Sequence, residues 1–139
     1  MTQTMLRFNN VSHRYGTTPS VTDISFEVEI GQVFSLLGPS GCGKSTILRL
    51  AAGLEQPQSG EIYINDRLVA SPTVMVAPED RGVGLVFQDY ALFPHMNVFD
   101  NINYGLKRAK LSAAERAARV RDVLDHVDLS GYQHAMPHE

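Results

Sequence analysis

The run Gly38-Pro39-Ser40-Gly41-Cys42-Gly43-Lys44-Ser45-Thr46 carries the densest chemistry in the sequence. It fits the pattern G-x-x-x-x-G-K-[ST], a loop that wraps phosphate. Average composition produces that string by chance in about one window in tens of thousands. Glycine leaves no side chain between the backbone and a bound anion. A helix starting at Lys44 presents unpaired N–H groups and the positive end of its dipole. Lys44 adds a point charge for β- and γ-phosphates, Ser45 a hydroxyl for Mg²⁺, and Thr46 a reach to the α-phosphate. Cys42 reads as a small residue within the loop.

Such a loop needs a strand before it and a helix after it, and the sequence offers both. Val33 to Leu37 is a short apolar run, the pattern of a strand buried on both faces. Lys44 to Ala52 holds good helix formers, and Gly53 is placed to close the helix. Upstream, residues 5–11 alternate weakly and read as a strand. In residues 21–30, period 2 puts Thr22, Ile24, Phe26, Val28 and Ile30 on one face. Val21, Asp23, Ser25, Glu27 and Glu29 fall on the other, as in a half-buried antiparallel strand. Downstream, Glu61 to Asn65 and Leu68-Val69 form hairpin arms around Asn65-Asp66. Residues 71–81, with Pro72 and Pro78, read as a loop. Gly82 to Phe87 reads as a second short buried strand, followed by an apolar loop over residues 89–97.

The period then changes. Val98, Ile102 and Leu106 share a helix face, with Asn97 as N-cap. Ser112-Ala113-Ala114-Glu115 is a capping box. It opens a helix with Val120, Leu124 and Val127 on one face. Glu115, Arg116, Arg119, Arg121 and Asp122 form a solvated face. The order predicts an α/β fold with a strand-rich first part and a helical last part.

Composition narrows the class. The 139 residues are 43% hydrophobic and 19% charged, as in a globular domain. Twelve Lys+Arg against fifteen Asp+Glu give a net charge of −3, which does not suit a bulk-charge nucleic-acid binder. A lone cysteine excludes an internal disulfide or a CxxC site. The apolar runs are too short to span a bilayer, and no signal peptide precedes them. The five histidines show no ligand-type i, i+4 pair and read as surface residues.

With the phosphate loop as anchor, the sequence resembles the nucleotide-binding subunit of ATP-binding-cassette (ABC) transporters along essentially all of its length. That resemblance implies a P-loop NTPase fold of ABC type: an antiparallel β portion, an incomplete parallel core and the start of a helical subdomain. It divides the chain at residues 1–88 and 89–139. It implies ATP and Mg²⁺ as ligands. Tyr15, in His13-Arg14-Tyr15-Gly16, matches the aromatic residue that stacks on adenine. Gln88, in Val86-Phe87-Gln88-Asp89-Tyr90, matches a glutamine at the end of a buried strand that touches Mg²⁺ and the attacking water. Lys44 and Gln88 are thereby the catalytic candidates, and Ser45 and Gln88 the metal ligands.

The stretch Phe87 to Val98 is similar to importer subunits serving ferric iron, polyamines, sugars and some anions. Pro78-Glu79-Asp80-Arg81 and Asp89-Tyr90 lean towards ferric iron. The apolar loop over residues 90–96 lies where family members meet the membrane subunit, although packing on its own helical part explains it equally. The resemblance further implies transmembrane permease partners, a head-to-tail pairing with a second copy, no nucleic acid, and a peripheral place on the cytoplasmic side of the inner membrane.

The sequence contains no Leu-Ser-Gly-Gly-Gln and no apolar strand ending in Asp-Glu. In the family these supply the signature motif, a metal-binding aspartate and the general base. The 139 residues therefore read as the N-terminal part of an ABC ATPase, able to bind nucleotide but inactive alone. A non-transport ABC protein or a small P-loop kinase is the alternative. A GTPase is disfavoured by the lack of Asn-Lys-x-Asp.

Overall fold

The computed structural model describes residues 3–139. They divide into two compact units, Met1–Leu85 and Val86–Glu139. Four strands order the first unit: β1 (Thr4–Tyr15), β2 (Thr18–Glu29), β3 (Ser59–Ile64) and β4 (Arg67–Ala70). The sheet order is β2-β1-β3-β4, with each pairing antiparallel. In the β3–β4 turn Asn65 and Asp66 both take positive φ, 49° and 59°. That turn geometry matches the twist of the strands it joins.

Helix α1 (Lys44–Ala52) covers one face of this sheet. Ile47, Leu50 and Ala51 enter a core with Phe8, Val11, Val21, Ile62, Ile64, Val69 and Ala70. Leu50, Ile62 and Val11 are fully buried, each contributing about 1.5–3 kcal/mol by leaving water.

Val21 departs from the period-2 reading, which places it on the polar face. A β-bulge is the cause. Asn10 and Asp23 adopt φ of 47° and 50°, and the β1–β2 register shifts between Val11 paired with Ile24 and His13 paired with Val21. The extra residue turns Val21 inward. Side chains hold the bulge: Asn10 Nδ2 donates to Asp23 Oδ1 at 2.9 Å, and the Asp23 N–H donates to Ser12 Oγ at 2.9 Å.

The two apolar runs expected as strands of a parallel core differ more. Neither residues 33–37 nor residues 82–87 join a ladder, so no parallel pair exists among the described residues. Residues 33–37 are covered on one face only. Phe34 stacks on Phe26 with ring centroids 4.9 Å apart, and Leu36 packs against the core. Val33 and Leu37, on the alternate face, are 92% and 91% exposed. Val86 is likewise exposed. A strand is defined by its partners, and no described segment lies hydrogen-bonded beside either run. Residues 71–81 hold an ordered turn rather than open loop. The Ser71 hydroxyl accepts from the N–H groups of Thr73 and Val74, and Pro78–Asp80 forms a 3₁₀ turn.

That segment delivers Arg81 to the C-terminal end of α1. Arg81 is buried, and no carboxylate meets it. Its guanidinium instead donates to the carbonyls of Leu50 (2.8 Å), Ala51 (3.1 Å), Val69 (3.1 Å) and Val76 (2.9 Å). Burial pushes its pKa below the ordinary arginine value. The cation meets the negative end of the helix dipole and the Ala51 carbonyl, which the helix end leaves without a backbone donor. Gly53 makes room for it: the residue has φ of 86°, and a Cβ there would come within 2.6 Å of Arg81 Nε.

In the second unit, helix α2 (Val98–Leu106) starts at Asn97, whose side chain accepts from the Asp100 N–H. Its Val98 and Phe99 N–H groups donate to the carbonyls of Ala135 and Gln133, both at 2.9 Å. Helix α3 (Ala113–His126) has the full capping box between Ser112 and Glu115. The Ser112 N–H and hydroxyl hold the Glu115 carboxyl below its ordinary pKa. Val120 and Leu124 are buried as expected, whereas Val127 is exposed because the helix ends before it.

Replacing Arg81 by Ala removes a donor from four carbonyls and leaves those of Ala51 and Val76 unsatisfied, since Leu50 and Val69 keep the N–H groups of Gly53 and Val76. Unsatisfied buried groups cost about 1–3 kcal/mol each before relaxation, so a net loss of roughly 2–4 kcal/mol is expected. Urea denaturation followed by circular dichroism checks this, with a clearly lower midpoint for Arg81→Ala. Arg81→Lys should recover only part, because one ammonium cannot span the same carbonyls.

Candidate nucleotide-binding site

The loop Gly38–Thr46 lies wholly within the first unit. Its shape depends on Gly43, the N-cap of α1, which has φ of 95° and so sits in the left-handed region. A Cβ there would overlap the Ser20 carbonyl oxygen and press on Val21. The helix start therefore rests directly on β2. Thr46 completes the seat: it is buried, with Oγ1 2.6 Å from Ser20 Oγ. Its hydroxyl thus joins the scaffold.

Around this seat the donors gather. Helix α1 carries no side-chain cap. Its first backbone bond runs from the Ile47 N–H to the Gly43 carbonyl at 2.9 Å. The N–H groups of Lys44, Ser45 and Thr46 thus have no acceptor within the helix, the arrangement that suits an anion. Lys44 folds back under the loop. Its Nζ donates to the carbonyls of Gly38 and Pro39, each at 2.7 Å, and lies 3.4 Å from Cys42 Sγ. The charge is thereby held at the loop. Ser45 and Cys42 are exposed, as are Gly38, Pro39, Ser40 and Gly41. This backbone-lined, cation-bearing loop suits a polyphosphate. The free Ser45 hydroxyl suits Mg²⁺, which takes few protein oxygens beside phosphate and water.

Tyr15 ends β1 and is 45% exposed as a residue. Its hydroxyl donates to Glu55 Oε1 at 3.1 Å. Glu55 drew no attention in the sequence. His13 also differs from expectation: it is buried, not at the surface. Bulge packing beside β2 places it there, with Nε2 3.5 Å from Glu55 Oε2.

Gln88 belongs to the second unit and sits exposed on a turn, not at the end of a strand. The Tyr90 N–H donates to the Phe87 carbonyl at 2.9 Å and closes that turn. Next to it, Asn101 builds the loop that follows. Its Oδ1 accepts from the Phe93 N–H, and its Nδ2 donates to the carbonyls of Phe93, Met96 and Asn97. Sequence reasoning missed Asn101, since one asparagine inside a helix carries no signal of its own.

The model of the ABC transporter domain matches residues 21–139. The chain belongs to the ABC transporter family. Curated relatives of this ABC chain include import subunits. It is 48% identical over 122 residues to the Fe(3+) ions import ATP-binding protein FbpC of Photobacterium profundum, covering 88% of this chain and 34% of that protein. It is 43% identical over 135 residues to the spermidine/putrescine import protein PotA of Nitrosomonas eutropha, covering 97% and 36%. Against the trehalose/maltose import protein MalK of Thermococcus litoralis, identity is 46% over 136 residues, covering 96% and 37%. The chain thus spans about a third of the length of the curated relatives it matches.

Among solved structures, the dimeric ATP-binding cassette MJ0796, bound to ADP and Pi, superposes with a TM-score of 0.79. Identity to it is 25%, over 96% of this chain and 62% of that one. CbiO1 from Clostridium perfringens has the same fold, with a TM-score of 0.77 at 24% identity, over 98% of this chain and 55% of that one. No described helix is long and apolar enough to cross a membrane.

Charge-assisted contacts from Lys44 to phosphate are worth about 1.5–3 kcal/mol each. Lys44→Ala should therefore weaken ATP binding at least roughly tenfold by calorimetry. Equal affinities for the two chains would remove the phosphate role of the loop.

Proposed function

We propose that this chain is the ATP-binding portion of an ABC importer ATPase whose cargo is ferric iron. The observation that carries the reading is the loop Gly38–Thr46: Lys44 held at its centre by two carbonyls, with three helix N–H groups beside it. In this reading Lys44 neutralises the β- and γ-phosphates, and the backbone of Gly41 and Gly43 wraps the anion. Ser45 would hold Mg²⁺, which screens phosphate charge when bound. Tyr15 offers its ring face to adenine. Gln88, on its exposed turn, would reach the metal and the attacking water.

Hydrolysis by the whole protein also needs a base and a γ-phosphate clamp, which the family supplies from its signature motif and a later glutamate. The 139 residues carry neither and are inactive alone in this account. A second copy, paired head to tail, would complete each site. Permease subunits would dock at the loop shaped by Asn101, where Tyr90 and Leu92 are 75% and 56% exposed. The protein would then sit peripherally on the cytoplasmic side of the membrane. Nucleic acid has no place in the scheme.

Iron is favoured by Pro78-Glu79-Asp80-Arg81 and Asp89-Tyr90; overall identity does not separate the cargos, since an FbpC and a PotA each reach 48%. Polyamine and sugar importers, at up to 48% and 46%, are the alternatives. Uptake in cells that carry the gene separates them. Lys44→Ala should lower uptake of radioactive ferric iron at least tenfold and leave spermidine and maltose uptake unchanged. Loss of spermidine or maltose uptake instead would reassign the cargo. No loss of any uptake would contradict the transporter role.

A further inference from the structure

We propose that Glu55 and the buried His13 are positioning residues that hold the ring of Tyr15 ready for a planar base. The inference rests on the nucleotide reading above and adds to it two residues outside the phosphate loop. Three contacts fix the ring. Its hydroxyl donates to Glu55 Oε1 at 3.1 Å. It packs in a T-shaped pair with the His13 ring, at 4.6 Å between centroids and 75° between planes. The backbone beneath it is clamped by Gln58, whose Oε1 accepts from the Arg14 N–H at 2.8 Å.

Glu55 links these parts. Its second oxygen lies 3.5 Å from His13 Nε2, so one carboxylate spans both aromatic residues. The segment that carries Glu55 is itself fixed, because the Leu54 N–H donates to the Arg49 carbonyl at the end of α1. His13 is only 4% exposed, and its Nδ1 is buried without a partner. A histidine held at that cost gives the tyrosine a rigid neighbour. With His13 beside its ring and its hydroxyl on Glu55, Tyr15 as a residue remains 45% exposed.

A side chain already held in its bound rotamer loses less freedom when a ligand stacks on it. Edge-to-face packing also favours one ring plane over others. Glu55 and His13 therefore raise the share of affinity that comes from the base and leave the phosphate share alone. That split distinguishes positioning from a general effect on folding.

The experiment compares ATP with inorganic tripolyphosphate by calorimetry on the 139-residue chain. Tyr15→Ala should weaken ATP roughly tenfold or more, as expected for loss of base stacking, and leave tripolyphosphate unchanged. Glu55→Ala should weaken ATP about threefold to tenfold, again with tripolyphosphate unchanged. Glu55→Gln should restore ATP affinity, since its amide oxygen still accepts the Tyr15 hydroxyl. In a Tyr15→Phe background, Glu55→Ala should have no further effect, because the hydroxyl it acts through is gone. Unchanged tripolyphosphate binding shows that each variant still folds. If Glu55→Ala weakens both ligands alike, the role is structural and the proposal fails. If Tyr15→Ala weakens ATP and Glu55→Ala does not, stacking stands and positioning fails. If Tyr15→Ala changes nothing while Lys44→Ala does, the stacking role fails and takes this proposal with it.

Discussion

Helix α1 is where the phosphate chemistry and the hydrophobic core meet, and its position rests on one close approach: Gly43 against the carbonyl of Ser20. No residue with a Cβ can occupy that place. Because the helix begins there, Thr46 reaches Ser20 and Ile47 enters the core. Because it begins with left-handed backbone, its first N–H groups turn outward instead of meeting a cap. The same contact therefore sets both the depth of the helix and the direction of its donors.

The opposite end is held by charge rather than by shape. Arg81 brings a cation to the carbonyls of Leu50 and Ala51, and ties them to Val69 and Val76. A helix of nine residues is too short to be stable alone in water. Packing on the sheet and a fixed point at each end supply what length does not. An anion at the N-terminal end and Arg81 at the C-terminal end both complement the helix dipole.

Local signals made much of this legible. The phosphate loop, the helix Lys44–Ala52, the Asn65-Asp66 turn and the Ser112–Glu115 capping box all depend on neighbours within a few residues. Features set by distant partners were not legible. The bulge that turns Val21 inward depends on Asn10, Ser12 and Asp23 meeting across two strands. The apolar runs at residues 33–37 and 82–87 have strand composition, but strand character requires a ladder that no described segment provides. In the sequence Arg81 stands out only as the end of Pro78-Glu79-Asp80-Arg81, and only the fold shows it meeting four carbonyls. Within the candidate site the loop was plain from its string. Glu55, Ser20 and Asn101 act through contacts that no motif encodes.

In the proposed function, the backbone of the loop Gly38–Thr46 binds the phosphates of ATP. Amide chemical shifts of the isotopically labelled chain, titrated with Mg²⁺ and ATP, test it most directly. The N–H signals of Gly41, Gly43, Lys44 and Ser45 should move together and saturate, and they should stay fixed in Lys44→Ala at the same concentrations. Saturable shifts that spare these four amides, or no shifts at all in a folded chain, would contradict it.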